Sequence, residues 1–221
     1  MNRKTARLAG LFFLLMVVFG LFSEIFFRQK LFVEGDAAQT AENILSNELL
    51  FRVGIVSDLL MALCYLITAL LLYKLFSSVN KQTAAVMVVF AAVGSVILTA
   101  NVLNEFAPLV ILDGNGPLAT LGSDQLNALT QFFYQLYQHG YMIGQIFFAL
   151  WVLPLGLLIL ESKQFPKILG IFFIVETCFG LLSVVIHFLI PNGTLESIVM
   201  VPMMVAEFSF MFYLLIRGCK K

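Results

Sequence analysis

The chain has 221 residues, of which 61% are hydrophobic and 12% are charged. A soluble domain has about half apolar and about a quarter charged residues, so this chain has too little polar surface to face water on all sides. Its 13 basic and 13 acidic residues balance, and the basic residues do not cluster as in nucleic-acid-binding proteins. We therefore expect one domain, residues 1–221, within a lipid bilayer and without a nucleic-acid partner.

Six apolar segments are long enough to cross the hydrocarbon layer as helices. A spanning helix needs about 20 mainly apolar residues, because backbone groups without hydrogen bonds are costly in lipid. The predicted spans are residues 7–27, 50–74, 84–112, 126–160, 168–190 and 195–217. The sequence thus predicts an all-α, polytopic membrane helical bundle.

The first segment also has the charged start and apolar run of a secretory signal. No small-x-small cleavage site follows Phe22, since the next residues are Ser23, Glu24 and Ile25. We interpret this segment as a first span that is retained.

The loop between the first two spans, residues 28–49, is the longest. Apolar residues recur in it at helical spacing after Asp36, whose side chain can cap a helix. This pattern predicts a short amphipathic helix that covers the bundle or anchors it at the surface. Further along, an unbroken fourth helix from Asp124 to Leu160 would be about 55 Å long, so it must project outward, tilt or break.

The distribution of basic residues predicts the orientation of the bundle. With the N-terminus inside, ten of the 13 basic residues lie on the inner side. These are Arg3, Lys4, Arg7, Lys74, Lys81, Lys163, Lys167, Arg217, Lys220 and Lys221. The outer side keeps Arg28, Lys30 and Arg52 among six acidic residues. Both termini are therefore expected in the cytoplasm.

Four stretches carry a resemblance to a known family. They are ARLAGL (6–11), GDAA with TAENI (35–38 and 40–44), FRVGIVSDL (51–59) and FPKILG (165–170). With these stretches the chain resembles the bacterial membrane proteins grouped as domain of unknown function 4386. The resemblance implies a compact multi-span protein of the bacterial plasma membrane, and it implies no activity and no functional residue.

Ionisable and amide side chains inside the predicted spans are candidates for a functional site, because they are costly in lipid. Several of them fall in the outer third of the bilayer, where we expect them to line an outward-facing cavity. The candidates are Asp58, Asn101, Glu105, Gln138, His139 and His187. The structural alternatives are that Asp58 pairs with Arg52 at the outer surface and that the amides only join helices.

Three functions remain open at this point. The first is binding or transport of a small molecule or lipid head group through the outer cavity, which needs no chemistry. The second is an intramembrane enzyme or metalloprotein that uses His139 and His187 with carboxylates, including a haem held by both histidines. The third is a structural or regulatory membrane component.

Motifs of catalysis and metal binding are missing from the sequence. It has no HExxH, GxSxG or CxxC, and its three cysteines have no partners at metal-ligand spacing. We expect no cofactor and lean toward a protein that is not an enzyme. The lipid bilayer is an expected partner, a small molecule or a lipid is the candidate ligand, and the oligomeric state is left open.

Overall fold

The computed structural model describes residues 2–190 and 192–219, and within them it is almost entirely helical. The elements are α1 (Arg3–Phe22), a π-helical turn (Ser23–Arg28), α2 (Gln29–Leu31), α3 (Ala37–Ser46), α4 (Glu48–Phe76), α5 (Lys81–Leu112), a short 3-10 helix (Gly116–Thr120), α6 (Ser123–Ser162), α7 (Lys167–Leu189) and α8 (Gly193–Ile216).

Six of these segments are long and apolar enough to cross a membrane. They are the continuous helix Arg3–Leu31, α4, α5, α6, α7 and α8. The predicted all-α class and the predicted number of spans are confirmed. The chain is a multi-pass membrane protein whose apolar helix surfaces face lipid.

The first span continues past residue 27, where the sequence placed its end. The chain enters a π-helical turn at Ser23 and stays helical to Leu31. Helix α6 is unbroken over 40 residues, with Pro154 inside it. Its length is about 60 Å at 1.5 Å per residue, twice the hydrocarbon thickness of about 30 Å.

The loop between the first two spans contains the ten-residue helix α3. Asp36 caps it, since its side chain accepts a hydrogen bond of 2.9 Å from the backbone N–H of Gln39. Thr40, Ala41 and Ile44 are buried, whereas the neighbouring Leu45 is exposed. One face of α3 therefore packs against protein and the other does not.

The chain divides into two compact units. Unit 1 comprises the described residues of Met1–Leu15, Leu63–Val96 and Met142–Lys221, and unit 2 comprises Met16–Ala62 and Ile97–Tyr141. The prediction of a single domain over residues 1–221 stays a prediction.

In unit 1, aromatic rings and small residues pack the helices together. The Trp151 ring meets the rings of Tyr65 and Phe13 edge-on, at centroid distances of 5.2 and 6.4 Å. A Cβ atom on Gly170 would come within 2.7 Å of the Gly156 carbonyl oxygen. Helices α6 and α7 approach this closely because both residues are glycine.

In unit 2, α3 and the ends of the first three spans share one apolar core. Its buried residues are Phe27, Leu31, Phe32, Ile44, Phe51, Ile55 and Val102. Hydrogen bonds tie the loop to this core: the Thr40 hydroxyl accepts from the Val33 N–H at 2.9 Å, and the Asn43 amide donates to the Leu31 carbonyl at 3.2 Å. Residues 31–44 are thus held in place at both ends.

Candidate functional site

The π-helical turn places Arg28 inside unit 2. Ser23, Phe27 and Arg28 are all buried, and only 8% of the Arg28 surface is exposed. A π-helical turn adds a residue to the helical turn and is frequent at functional sites. Here a charged side chain near the end of a span is directed into protein instead of toward water.

The first span approaches α4 closely at this turn. The Ser23 hydroxyl donates to the Gly54 carbonyl at 3.1 Å, and the Ser57 hydroxyl donates to the Phe19 carbonyl at 3.0 Å. A Cβ atom on Gly54 would overlap the Phe27 ring. Since Asp58 follows Gly54 by one helical turn, it lies on the same face of α4 and points toward Arg28.

Arg28 is the centre of a buried group of polar side chains from four spans. Its Nη1 lies 2.7 Å from Asp58 Oδ2, 3.0 Å from Glu105 Oε1 and 2.9 Å from the Tyr137 hydroxyl. Its Nε donates to Glu24 Oε2 at 2.9 Å. We call Arg28, Asp58, Glu105 and Tyr137 the Arg28 cluster.

The Arg28 cluster has more acidic than basic groups. Asp58 and Glu105 are 3% and 0% exposed, and one guanidinium serves both. The second oxygen of each, Asp58 Oδ1 and Glu105 Oε2, accepts no hydrogen bond from the described residues. One proton, or another donor or cation, would therefore complete the cluster.

Helix α5 meets α6 beside the Arg28 cluster through Asn101, one turn before Glu105. The Asn101 amide donates to the Tyr137 backbone carbonyl at 2.8 Å and accepts from the Asn104 amide at 3.0 Å. A Cβ atom on Gly140 would overlap the Asn101 side chain. This contact fixes the position from which the Tyr137 hydroxyl reaches Arg28.

A small cavity of about 10 Å³ adjoins the Arg28 cluster. It is lined by Asp58, Met61, Leu98, Asn101, Val102, Tyr137 and Tyr141. This volume corresponds to about one water molecule. The conformation described here is therefore closed to any larger molecule at this point.

A wider groove of about 340 Å³ also belongs to unit 2. It is lined by Leu45, Glu48, Arg52, Phe106, Leu109, Val110 and Asp113. Its walls combine apolar side chains with the exposed Glu48–Arg52 ion pair, whose N···O distance is 2.7 Å. Its volume lies at the lower end of the range of small-molecule sites, about 300–1,000 Å³.

The structure gathers three of the six candidate site residues. Asp58, Asn101 and Glu105 lie in or beside the Arg28 cluster, whereas Gln138 and His139 are exposed on α6. His187 belongs to unit 1, where its Nδ1 lies 3.5 Å from Glu196 Oε1.

Two alternatives from the sequence can be compared with these contacts. The pairing of Asp58 with Arg52 is wrong, because Asp58 binds Arg28 and Arg52 binds Glu48. Among residues 2–190 and 192–219, no group of three or more His, Cys, Asp or Glu side chains could hold a metal ion. The metalloprotein hypothesis based on His139 and His187 thus gains no support from a ligand set.

Sequence reasoning missed Arg28 and Tyr137. Arg28 was assigned to the outer loop, because a basic residue after an apolar run usually marks the membrane surface. A signal was present in the spacing of Glu24 and Arg28, which is that of an ion pair on one continuous helix. Tyr137 stands between Leu136 and Gln138 with no pattern to distinguish it.

The fold and its buried ionic cluster define a class, the multi-pass α-helical membrane proteins. The family described as Domain of unknown function (DUF4386) matches residues 8–218. The match extends over nearly the whole chain, and the chain belongs to this family. Comparison with curated proteins and with solved structures gives no match.

Proposed function

We propose that this protein binds a small polar solute at the Arg28 cluster and moves it across the membrane. The observation that carries the proposal is the buried guanidinium of Arg28, which serves two carboxyls that are each nearly inaccessible. Asp58 also lines the adjoining cavity, where its second oxygen accepts no hydrogen bond from the described part of the chain.

The energetics of such a cluster favour function over a purely structural role. Moving charged groups from water into a low-dielectric interior costs several kcal/mol per ion, and an apolar replacement is often as stable. Apolar side chains would join four spans at lower cost. Ionisable groups inside spans are for this reason usually part of a solute or ion pathway.

The chemistry of the cluster favours a solute with a positively charged or hydrogen-donating group. Asp58 and Glu105 outnumber the single guanidinium that they share. Aromatic rings extend the site, since Tyr134 stacks on Phe32 at a centroid distance of 3.7 Å and lies 6.3 Å from the Tyr137 ring. Carboxylates combined with aromatic faces are suited to amines.

Binding requires the site to open, because the cavity holds about one water molecule. Transporters meet this requirement with closed and open states between which the solute shifts the population. In unit 2 the groove beside Arg52 and the packed loop with α3 are the elements where opening can begin. We propose that the loop acts as a lid.

The membrane and the orientation are proposals that rest on the charge distribution. The excess of basic residues on the side of the N-terminus supports a cytoplasmic location for both termini. The family resemblance supports the bacterial plasma membrane.

The proposal is tested by thermal unfolding of the full chain in lipid nanodiscs with defined probes. Methylammonium and ethanolamine serve as amines, acetate and phosphate as anions, and glycerol as a neutral solute. We expect an amine to raise the melting temperature in a saturable way. Asp58→Asn and Glu105→Gln should each weaken this effect at least ten-fold in apparent Kd, about 1.4 kcal/mol.

Glu161→Gln is the matched control, because Glu161 is an exposed glutamate at the end of α6 and belongs to unit 1. It should leave the amine effect unchanged. If no probe shifts the melting temperature, or if Asp58→Asn and Glu105→Gln retain the full shift, the proposal is overturned and a structural role of the cluster is supported.

A further inference from the structure

Unit 1 contains a second set of polar side chains inside the protein. None of them belongs to the proposed solute site. Glu176 lies on α7, Glu207 on α8, Tyr65 on α4 and Trp151 on α6. Glu176 lies nine residues after the start of α7, and Glu207 lies nine residues before the end of α8. Tyr65 and Trp151 each lie eleven residues before the ends of α4 and α6. These four helix ends are on the same side of the membrane as the N-terminus of the chain. They therefore share a depth of about 14–17 Å from those ends.

Three of these side chains are fully shielded from solvent and Glu207 is partly buried, and all four carry polar atoms without hydrogen-bond partners in the described part of the protein. Glu176 and Trp151 are 0% exposed, and Tyr65 is 1% exposed. The atoms without a partner are Glu176 Oε1 and Oε2, Glu207 Oε1, the Tyr65 hydroxyl and Trp151 Nε1. Buried polar groups are nearly always paired, so an unpaired group of this size indicates a missing ligand.

The polar groups act on one another. Helices α7 and α8 pack against each other, so Glu176 and Glu207 lie near enough for their charges to interact, and both lie near the Tyr65 hydroxyl. The Tyr65 ring meets the Trp151 ring edge-on at 5.2 Å. The set is thus one cluster formed by four spans.

A positive partner for the two carboxyls is missing within the described residues. No Lys, Arg or His there lies within ion-pair distance of Glu176 or Glu207, in contrast to Asp58 and Glu105, which share Arg28. An isolated buried carboxylate is highly unfavourable unless a cation accompanies it. The missing ligand is therefore positively charged.

We infer that Glu176 and Glu207 form a binding site within the membrane for one monovalent cation, a proton or a sodium ion, with the Tyr65 hydroxyl as a further oxygen ligand. The inference is independent of the proposed solute site. Calcium needs six to eight oxygen ligands and zinc favours nitrogen and sulfur, and this cluster offers neither set. Two carboxyls and a hydroxyl suffice for a proton and can provide part of a sodium shell.

The inference is tested by infrared spectroscopy of the full chain in lipid nanodiscs. A protonated carboxyl has a carbonyl stretching band that is separate from the bands of a carboxylate. If the site holds a proton, this band is present at neutral pH in sodium-free buffer. It should decrease or shift in Glu176→Gln and in Glu207→Gln, and the double variant should lose the part of the band that these two carboxyls contribute, whereas any part from Asp58 and Glu105 remains.

Sodium chloride distinguishes the two cations, with choline chloride as the control for ionic strength. If sodium binds, the band is replaced by carboxylate bands as sodium is added, and choline has no effect. A band that is insensitive to sodium assigns the site to a proton alone.

Glu161→Gln is the matched control, since Glu161 is an exposed glutamate at the end of α6. It should leave the band unchanged. The inference is overturned if wild-type protein shows neither a protonated-carboxyl band at neutral pH nor any spectral response to sodium, or if both single Gln variants leave the band unchanged in intensity and in position. Each single variant removes one carboxyl, so one single variant is enough to test the inference if the double variant does not fold.

Discussion

The Nη1 atom of Arg28 lies 2.7 Å from Asp58 Oδ2, although the two residues are 30 positions apart in the chain. This ion pair joins the end of the first span to the second at a point where both side chains are buried. Glu105 adds a third span to the same nitrogen at 3.0 Å. Arg28 is thus the positive charge on which the buried acids of unit 2 depend.

Replacement of Arg28 by glutamine should strongly destabilise the protein. The change leaves Asp58 and Glu105 buried without a positive partner, and removal of one member of a buried ion pair costs about 3–5 kcal/mol. Denaturant unfolding in mild detergent measures this loss. Arg52→Gln is the control, because the exposed pair with Glu48 contributes at most about 1 kcal/mol. Equal losses in the two variants would contradict a special role of Arg28.

Replacement of Gly54 by alanine should also destabilise, although alanine favours helices by about 1 kcal/mol. The added methyl group would overlap the Phe27 ring, and such overpacking typically costs about 1–3 kcal/mol. We expect a lower unfolding midpoint in detergent. Gly193→Ala is the control, since Gly193 is the first residue of helix α8 and no atom lies within 4 Å of a Cβ at that position. An unchanged midpoint for Gly54→Ala would show that the turn adapts without cost.

The sequence predicted those parts of the structure that depend on local pattern. Apolar length is sufficient to count six spans, because lipid requires each span to form its hydrogen bonds internally. The spacing after Asp36 likewise predicted α3 and its cap, which the structure contains. Both properties are determined by residues that are close along the chain.

The partners of the buried acids could not be predicted from the sequence. Asp58 and Glu105 were identified as candidates by their position in apolar runs, but the residue that pairs with them depends on which helices are neighbours. Hydropathy does not determine helix adjacency. The π-helical turn at Ser23 also changes the direction of Arg28, and no residue pattern of the first span predicts this turn.

The orientation of the chain is open to a direct test. The charge distribution predicts that a fluorescent protein fused after the C-terminus matures in the cytoplasm and that alkaline phosphatase at the same position is inactive. Alkaline phosphatase fused within residues 113–122, in the loop between α5 and α6, should be active. If alkaline phosphatase is active at the C-terminus and inactive in the loop, the topology is the reverse of the one proposed. If it is active at both positions, the chain has no fixed orientation.

The loop that carries α3 should open more readily when its cap is removed. Asp36→Ala loses the hydrogen bond to the Gln39 N–H, and a cap of this kind contributes about 1 kcal/mol to helix stability. Hydrogen exchange in residues 37–46 should accelerate about five-fold, since exchange follows the local opening equilibrium. Glu42→Ala is the control, because Glu42 is exposed within the same helix.

If the loop is a lid, Asp36→Ala should also speed amine binding while Glu42→Ala does not. Faster exchange without faster binding would show that the loop opens independently of the Arg28 cluster.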